Sequence, residues 1–280
     1  SMPWIVSSGQ KWMSSSSGHP GLSAVNRHPQ SEILILDRFY FPDEQATSVY
    51  LTELTQGLRD RFDFKILCGP PLVVTDGKAN EIPPAKVFKV PALNLSKRSL
   101  FARFFNDLSF LLAAFFRGLF FSKPDLILSQ TSPPGVWWVG FLLSRWHRSP
   151  WIHVSKDLFP GNLKALRENK NNPLLDFIDT VSGYPLRKAD RILVIGKDME
   201  KVFLKKGLPA AQIAQTCDWV DLAFVRPLPK RNSFSEKYGL ENKFVVLYAG
   251  NFGRSHNFED VLAAAKFFRE KEDIVFVFVG

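Results

Sequence analysis

The sequence predicts an α/β protein with a doubly wound parallel sheet, followed by the start of a second domain of the same kind. Short apolar runs alternate with segments of helical periodicity at least five times between residues 32 and 206. Such alternation is typical of parallel sheets that carry helices on both faces. The run 126–128 is apolar at every position, as expected for a strand buried on both sides. Residues 216–232 break the alternation with prolines and charges, which indicates an interdomain linker.

Apolar runs and turn residues set the limits of each element in the first predicted domain, residues 32–215. Strands are expected where short apolar runs end at proline, glycine or polar residues, namely at 32–36, 65–68, 86–90, 126–128, 151–154 and 191–195. Helices are expected where apolar residues recur at helical spacing, namely at 47–58, about 99–121, 136–146, 174–189 and 197–206. Residues 1–31 are rich in serine, glycine and proline, and we expect a disordered leader or tag there.

The second predicted domain, residues 233–280, contains fewer elements. Its pattern predicts a short helix at 234–238, strands at 244–247 and 274–279, and a helix from about Phe258. Two strands and one full helix cannot cover a sheet on both faces. We therefore expect this domain to be incomplete in the sequence.

The charge and the cysteine content limit the kinds of function that the sequence supports. The 280 residues are 45% apolar, as expected for a globular protein. Their formal net charge of +9 favours polyanionic partners, phosphorylated ligands or an anionic membrane surface and does not choose among them. Cys68 and Cys217 form neither a disulfide framework nor a zinc-ligand cluster, and such sparse cysteine usage favours a reducing compartment. No G-x-G-x-x-G follows the first strand, which argues against a dehydrogenase.

Phenylalanine is unusually common, and many of the 26 lie between Leu100 and Phe121. This stretch is long enough to cross a membrane, but Arg103, Asp107 and Arg117 lie inside it. Charges near the centre of a bilayer are costly. We therefore interpret the stretch as an amphipathic helix that either packs in the core or contacts a membrane surface.

A glycine-containing turn at 248–260 predicts an anion site. Gly250 and Gly253 allow a tight turn and a close approach to a ligand. The free N–H groups at the start of the following helix attract an anion. Arg254 adds a permanent charge with a planar donor geometry that suits phosphate. With Asn251, these residues are candidates for phosphate binding.

Polar loops follow three of the predicted strands, at 37–48, 129–135 and 155–162. Open parallel sheets bind ligands at the carboxyl ends of their strands, so Lys156 and Asp157 are candidate site residues. The alternative is that Asp157 caps a local turn and that Lys156 is solvated.

The order of several segments resembles that of the family-4 glycosyltransferases of GT-B fold, especially the colanic-acid-type bacterial branch that builds cell-surface polysaccharides. The resemblance runs from about residue 32 to the end of the sequence. The segments that carry it are Tyr40–Glu44, Tyr50–Leu54, Pro124–Ile127, Ser132–Pro134, Lys156–Pro160, Ala189–Ile192, Asp218–Asp221 and Tyr248–Arg254.

The resemblance implies two Rossmann-like domains with a cleft between them. The C-terminal domain would bind a nucleotide-diphosphate sugar, and the N-terminal domain would bind a glycan or lipid-linked acceptor. Transfer would proceed with retention at the anomeric carbon and would need no catalytic metal or other cofactor. The protein would work in the cytoplasm, in peripheral contact with an anionic membrane, and nucleic acid is not among the implied partners.

The resemblance also implies roles for the candidate residues. Arg254, Asp157 and Lys156 would be catalytic. The donor diphosphate would be bound by Gly250, Asn251, Gly253 and Arg254, and the acceptor-side loop would comprise Asp43, Glu44, Thr47 and Ser48. Asp43 and Glu44 are candidates for a general base, although acidic residues also precede helices because of the helix dipole.

Two departures from the family pattern stand out. Residues 45–48 replace the usual Gly-Gly turn, and Thr47 or Ser48 would cap the following helix instead. The family's E-x7-E carboxylate pair would lie beyond Gly280, so we expect a C-terminal domain that is truncated in this sequence. The alternative function is a non-catalytic membrane- or partner-binding module derived from a glycosyltransferase.

Overall fold

The structure is a computed structural model that describes residues 30–74, 83, 85–95, 99–159, 161, 173–220, 222, 225–250, 252 and 258–280. The leader predicted at 1–31 lies outside the described residues except for its last two positions. The chain divides into two compact units, with the boundary between Trp219 and Val220. We describe the N-terminal unit and the C-terminal unit separately.

Nine strands and seven α-helices follow one another in the described part of the chain. The strands are β1 Ser31–Leu36, β2 Phe62–Cys68, β3 Lys86–Lys89, β4 Leu126–Ser129, β5 Trp151–Ser155, β6 Arg191–Val194, β7 Ile213–Gln215, β8 Phe244–Ala249 and β9 Ile274–Val279. The helices are α1 Ala46–Leu58, α2 Leu100–Leu119, α3 Val136–His147, α4 Pro173–Leu186, α5 Lys197–Lys205, α6 Ser233–Lys237 and α7 Phe258–Phe267.

The N-terminal unit is built on a seven-stranded sheet in the order β3-β2-β1-β4-β5-β6-β7, with every neighbouring pair parallel. The chain first adds strands on one side of β1 and then on the other, so the order reverses between β1 and β4. The predicted doubly wound α/β class is therefore confirmed. Strand β7 was not predicted, because three residues are too few to show a periodic pattern.

The apolar core lies on both faces of this sheet. Ile33 and Ile35 of β1 belong to a cluster that includes Leu51 of α1. The alternate residues Leu34 and Leu36 belong to a larger cluster on the opposite face, which α2 and α3 cover. Successive side chains of a strand point to opposite faces, so an apolar β1 is buried on both sides.

Helix α2 occupies the phenylalanine-rich stretch. Phe110 and Ala114 are fully buried in the larger cluster, which confirms core packing for one face of the helix. Among the described residues, no helix is both long and apolar enough to cross a membrane.

Helix α3 packs closely on β5 because Gly140 lacks a side chain. The indole N–H of Trp151 donates a hydrogen bond of 2.9 Å to Ser129 Oγ. A Cβ atom at position 140 would lie 2.5 Å from Trp151 Nε1 and 3.1 Å from Ser129 Oγ. The glycine therefore leaves room for a buried hydrogen bond between β4 and β5.

The C-terminal unit contains a two-stranded parallel sheet in which Phe244 pairs with Ile274 and Ala249 with Val279. Its first helix, α6, begins with a capping box in which the Asn232 side chain accepts from the Ser235 N–H at 3.1 Å. An apolar groove of about 690 Å³ lies within this unit, lined by residues of α7, of β9 and of the loops that precede β8 and β9.

Replacing Gly140 by alanine should destabilise the protein. The new methyl group would displace the Trp151 indole, and overpacking of this kind costs about 1–3 kcal/mol. The measurement is urea-induced unfolding of the variant and the wild type. Gly57→Ala is the matched control, because no atom lies within 4 Å of a Cβ built there, and it should stabilise α1 by up to about 1 kcal/mol. A Gly140→Ala protein as stable as the wild type would contradict the close packing.

Candidate functional site

Polar side chains gather where β1, β4 and β5 end, at the point where the strand order reverses. Ligands of open parallel sheets bind at the carboxyl ends of the strands, at such a switch point. The backbone brings the loops together, because the Gln130 N–H donates to the Leu36 carbonyl at 3.2 Å and the Arg38 N–H donates to the Ser132 carbonyl at 3.0 Å. This edge of the sheet is therefore the candidate site of the N-terminal unit.

Asp37, the first residue after β1, has a fully buried side chain. Its Oδ1 accepts a hydrogen bond of 2.8 Å from the Phe39 N–H, and its Oδ2 has no hydrogen-bond partner. Burial raises the pKa of Asp37 to about 8, although the Phe39 N–H and the positive charge of Lys156 act in the opposite direction. The carboxyl group is therefore mainly protonated at neutral pH and can donate a hydrogen bond from Oδ2.

Further buried polar atoms in the loop after β1 and in the segments at the start of α1 and after β4 also lack partners. Among the described residues, six buried side-chain atoms make no hydrogen bond. Five of them belong to the loop after β1, the start of α1 or the end of β4: Asp37 Oδ2, Arg38 Nη1, Gln45 Nε2, Ser48 Oγ and Gln130 Oε1. Buried polar groups in proteins are normally paired, so these five atoms are candidates for hydrogen bonds with water or a polar ligand. We call these five residues the polar cluster.

Arg38 brings a buried positive charge to the polar cluster. Its guanidinium lies 5.3 Å from the centre of the Phe110 ring, and burial lowers its pKa. A side chain at Gly69 would overlap the guanidinium. A side chain at position 69 would therefore force the guanidinium out of this position.

Asp43, a predicted acceptor-side residue, holds two loops together. Its Oδ1 accepts from the Gln45 N–H at 3.0 Å and its Oδ2 accepts from the Leu72 N–H at 2.6 Å. The neighbouring Glu44 N–H donates to the Val73 carbonyl at 3.0 Å. Both carboxylate oxygens of Asp43 are thus engaged in fixing the loop, and its role as a general base stays a prediction.

The expectation that Thr47 or Ser48 caps helix α1 is wrong. The helix begins at Ala46, its N-cap is Gln45, and no side chain caps it. Thr47 and Ser48 lie inside the first turn, two and three residues after the N-cap position from which a side chain accepts from the exposed N–H groups. The Ser48 hydroxyl is instead buried in the polar cluster.

Lys156 is held by contacts to three parts of the chain. Its ammonium group lies 2.8 Å from Asp218 Oδ1 and 3.8 Å from the centre of the Tyr50 ring. Its backbone N–H donates to Thr131 Oγ1 at 2.7 Å, and the Asp157 N–H donates to the same oxygen at 3.4 Å. The alternative of a solvated lysine is therefore wrong.

The residue after Asp218 extends this contact to helix α1. The indole N–H of Trp219 donates to Glu53 Oε2 at 2.7 Å, and its ring packs edge-on against Tyr50 at 5.4 Å between centroids. Together, Lys156, Asp218, Trp219, Tyr50 and Glu53 fasten the last residues of the unit to α1 and the β5 loop. We call this group the Lys156 clasp.

A buried polar pair supports the site from within the sheet. Ser129 Oγ lies 3.0 Å from His153 Nδ1 and also accepts from the Trp151 indole. Burial lowers the pKa of His153 to about 3, so the imidazole stays neutral. The sequence does not single out these residues, because each lies within or at the end of a short, mainly apolar strand.

The predicted phosphate loop is described only in part. Asn251, Gly253 and Arg254 lie outside the described residues. Gly250 has φ of 151° and donates its N–H to the Val279 carbonyl at 2.8 Å. Helix α7 begins at Phe258, as predicted. Among the described residues, no group of three histidine, cysteine or acidic side chains could hold a metal ion.

The N-terminal unit is thus a Rossmann-type α/β domain with a polar site at its switch point. Comparison with known proteins then gives the family. The family model described as "Glycosyl transferase 4-like domain" matches residues 46–219, more than half of the chain. The chain therefore belongs to this family.

One curated relative is WbjE of Pseudomonas aeruginosa, described as a probable glycosyltransferase. It is 24% identical over an alignment of 267 residues, and the match covers 89% of this chain and 63% of that protein. The chain thus spans less than two thirds of this relative's length.

Two solved structures share the fold. Sucrose-phosphate synthase from Thermosynechococcus elongatus has a TM-score of 0.62 and 17% identity, over 90% of this chain and 62% of that one. HepE of Anabaena in complex with UDP-glucose has a TM-score of 0.56 and 13% identity, over 89% and 69%. These neighbours are GT-B glycosyltransferases, so the predicted fold class is confirmed.

The buried Asp37 predicts a distinctive dependence of stability on pH. Its pKa is higher in the folded state than the ordinary value of 3.8, so its stabilising contribution is complete below that value and is lost as pH rises toward about 8. His153 acts in the opposite sense, because its pKa of about 3 lies below the ordinary 6.5 and its contribution is lost as pH falls below 6.5. Above pH 6.5 the Asp37 effect therefore stands apart from that of His153.

We expect the free energy of unfolding of the wild type to fall by about 1–2 kcal/mol between pH 6.5 and 8, given about 1.4 kcal/mol per pKa unit. Asp37→Asn should remove most of this fall, since the amide does not titrate. The charged or titratable groups that act on Asp37 are Lys156, Asp43 and Cys68, and they are unchanged in the variant. Urea unfolding at the two pH values tests this, and equal slopes in the two proteins would contradict a buried, protonated Asp37.

The Lys156 clasp should appear as energetic coupling between Lys156 and Asp218. The Asp218 side chain is 39% exposed, so solvent screening limits the coupling to roughly 0.5–1 kcal/mol. A double-mutant cycle with Lys156→Met and Asp218→Asn, followed by urea unfolding, measures it. The exposed pair Lys201 and Asp198 is the control and should show a smaller coupling. Additive effects at Lys156 and Asp218 would show that the clasp carries no interaction energy.

Proposed function

We propose that the protein is a glycosyltransferase that moves a sugar from a nucleotide-diphosphate sugar to a hydroxyl acceptor. The observation that carries the proposal is the family match across residues 46–219, which covers most of the N-terminal unit. The fold of a HepE complex with UDP-glucose supports a nucleotide sugar as donor. The comparisons do not favour the alternative of a non-catalytic membrane- or partner-binding module.

In this proposal the donor diphosphate binds at the loop 250–254. When the glycosidic bond breaks, the electron pair goes to the β-phosphate oxygen and negative charge grows there. Arg254 and the first N–H groups of α7 stabilise that charge. Gly250, Asn251 and Gly253 let the backbone approach the phosphates, and no metal is assigned a catalytic role.

The acceptor binds at the switch point of the N-terminal unit. Protonated Asp37 offers a donor and Gln130 Oε1 an acceptor, which together suit a sugar hydroxyl. Asp43 and Glu44 hold the loop beside α1, and Lys156 and Asp157 form the edge at β5. Thr47 and Ser48 complete the acceptor side from the first turn of α1.

Transfer is proposed to occur with retention, as in the colanic-acid-type branch that the sequence resembles. The acceptor oxygen forms a bond to the anomeric carbon on the face from which the diphosphate leaves, and the departing phosphate oxygen takes the acceptor proton. This route needs no free carboxylate base. It agrees with an Asp43 whose two oxygens already accept backbone N–H groups.

The acceptor is proposed to be lipid-linked and the site of action the cytoplasmic face of a membrane. A phospholipid-like substrate suits the net charge of +9, because anionic headgroups attract basic proteins. The chain would then bind the membrane at its periphery.

The donor proposal is tested by nucleotide binding to the full-length protein. Calorimetry with UDP-glucose and with other nucleotide sugars should detect binding to at least one of them. Arg254→Ala should weaken that binding about 10- to 100-fold, because a hydrogen bond to a charged group contributes about 1.5–3 kcal/mol. Transfer of labelled sugar to a lipid extract then measures activity.

Arg231→Ala is the matched control, since this arginine lies in the same unit with a side chain that is 78% exposed. It should bind the nucleotide like the wild type. Failure of the full-length protein to bind any nucleotide diphosphate would overturn the donor site. Equal affinity in the Arg254 variant would remove Arg254 from it.

A further inference from the structure

Helix α2 carries a second apolar face that the core does not use. At about 100° per residue, five outward residues fall within an arc of roughly 120°: Phe101, Phe104, Phe105, Leu112 and Phe116. Their side chains are 48–78% exposed. The opposite face holds the buried Phe110 and Ala114. We call the five outward residues the α2 stripe.

The α2 stripe contains no charged residue. Arg103, Asp107 and Arg117, which disfavour a transmembrane helix, lie on the other side of the helix at this angular spacing. The Arg117 guanidinium lies over the rings of Phe88 and Phe121, at 5.8 and 5.4 Å from their centres. Contiguous exposed apolar surface of this kind marks an interaction site in soluble proteins.

Near the C-terminal end of the stripe lie residue types that are typical of protein surfaces at a membrane interface. Trp146 of α3 is 64% exposed, and its indole N–H donates to the Leu119 carbonyl at 3.2 Å. Trp side chains of this amphipathic kind are enriched at the boundary between lipid and water. Lys123 follows the end of α2 and Arg145 directly precedes Trp146, and both residues are exposed.

The charges around the stripe favour lipid over a second copy of the chain. Arg103, Asp107 and Arg117 lie away from the stripe, so the exposed cations that remain at its C-terminal end are Lys123 and Arg145. A symmetric dimer would place the same patch against itself, so its cations would repel one another. Anionic headgroups would instead attract them, by about 1 kcal/mol for each cation near the surface.

We propose that the α2 stripe lies in the interfacial layer of an anionic bilayer, with the helix axis parallel to the membrane. The 20 residues of α2 would extend about 30 Å along the surface. Interfacial helices bind in this way through apolar area together with attraction to anionic lipid. The inference rests on the membrane location in the proposed function but not on the transfer reaction.

Vesicle flotation with the full-length chain tests the stripe. The probes are vesicles of phosphatidylcholine alone and vesicles with about one third phosphatidylglycerol. We expect binding to the anionic vesicles that weakens at 0.5 M NaCl, where screening is strong. The triple variant Phe101→Ser, Phe104→Ser, Phe116→Ser should bind at least about tenfold more weakly, because less apolar area leaves water.

Phe267→Ser is the matched control, because Phe267 is 80% exposed on α7 in the other unit. It should bind vesicles like the wild type. Thermal unfolding of the triple variant should match the wild type, since the three side chains lie outside the core. In the absence of vesicles, the triple variant should bind the nucleotide like the wild type. This result would show that a loss of vesicle binding does not arise from damage to the donor site.

Two results would overturn the proposal. The first is a triple variant that floats with anionic vesicles as strongly as the wild type. The second is a wild type that does not bind the vesicles. Light scattering would then show whether the wild type is a monomer, or a dimer that becomes monomeric in the triple variant. The dimer would assign the stripe to self-association instead.

Discussion

The N-terminal unit depends on β1 being buried on every side. The strand is hydrogen-bonded to β2 on one edge and to β4 on the other, and the side chains of Leu34, Ile35 and Leu36 are fully buried on its two faces. Along the strand the backbone groups are paired and the side chains are apolar, so polar chemistry can begin only where the strand ends. Asp37 is the first residue at that end, and its burial follows from the sheet packed around it.

Much of the fold could be predicted because the signals are local. The run of apolar residues that marks a strand and the helical spacing of apolar residues that marks a helix each extend over only about ten residues. These patterns predicted β1, α1 and β9 to within about one residue of their observed limits. The misses are also local in origin. Strand β2 begins at Phe62, before the predicted strand at 65–68, because Asp63 interrupts the apolar pattern while the backbone pairing with β1 continues.

The site was less predictable because its contacts join distant parts of the chain. Lys156 could be selected from its place after β5, but its partner Asp218 is 62 residues away, and nothing in the sequence between them links the two. Asp37 was missed because a single aspartate after a strand has the pattern of a turn. Only the structure shows that Asp37 is buried and that its Oδ2 lacks a partner, a property that depends on the packing of four separate segments.

The two-faced helix α2 also has a consequence for the protein in solution. One face of the helix packs in the core, while the other exposes phenylalanine rings to water. The exposed rings favour association between molecules. The net charge of +9 opposes this tendency through mutual repulsion between molecules. That repulsion reaches only about 10 Å in 0.1 M salt and about 3 Å in 1 M salt. The ionic strength of the medium would then set the solubility of the protein. It would do so through the exposed face of α2, which the fold itself does not need.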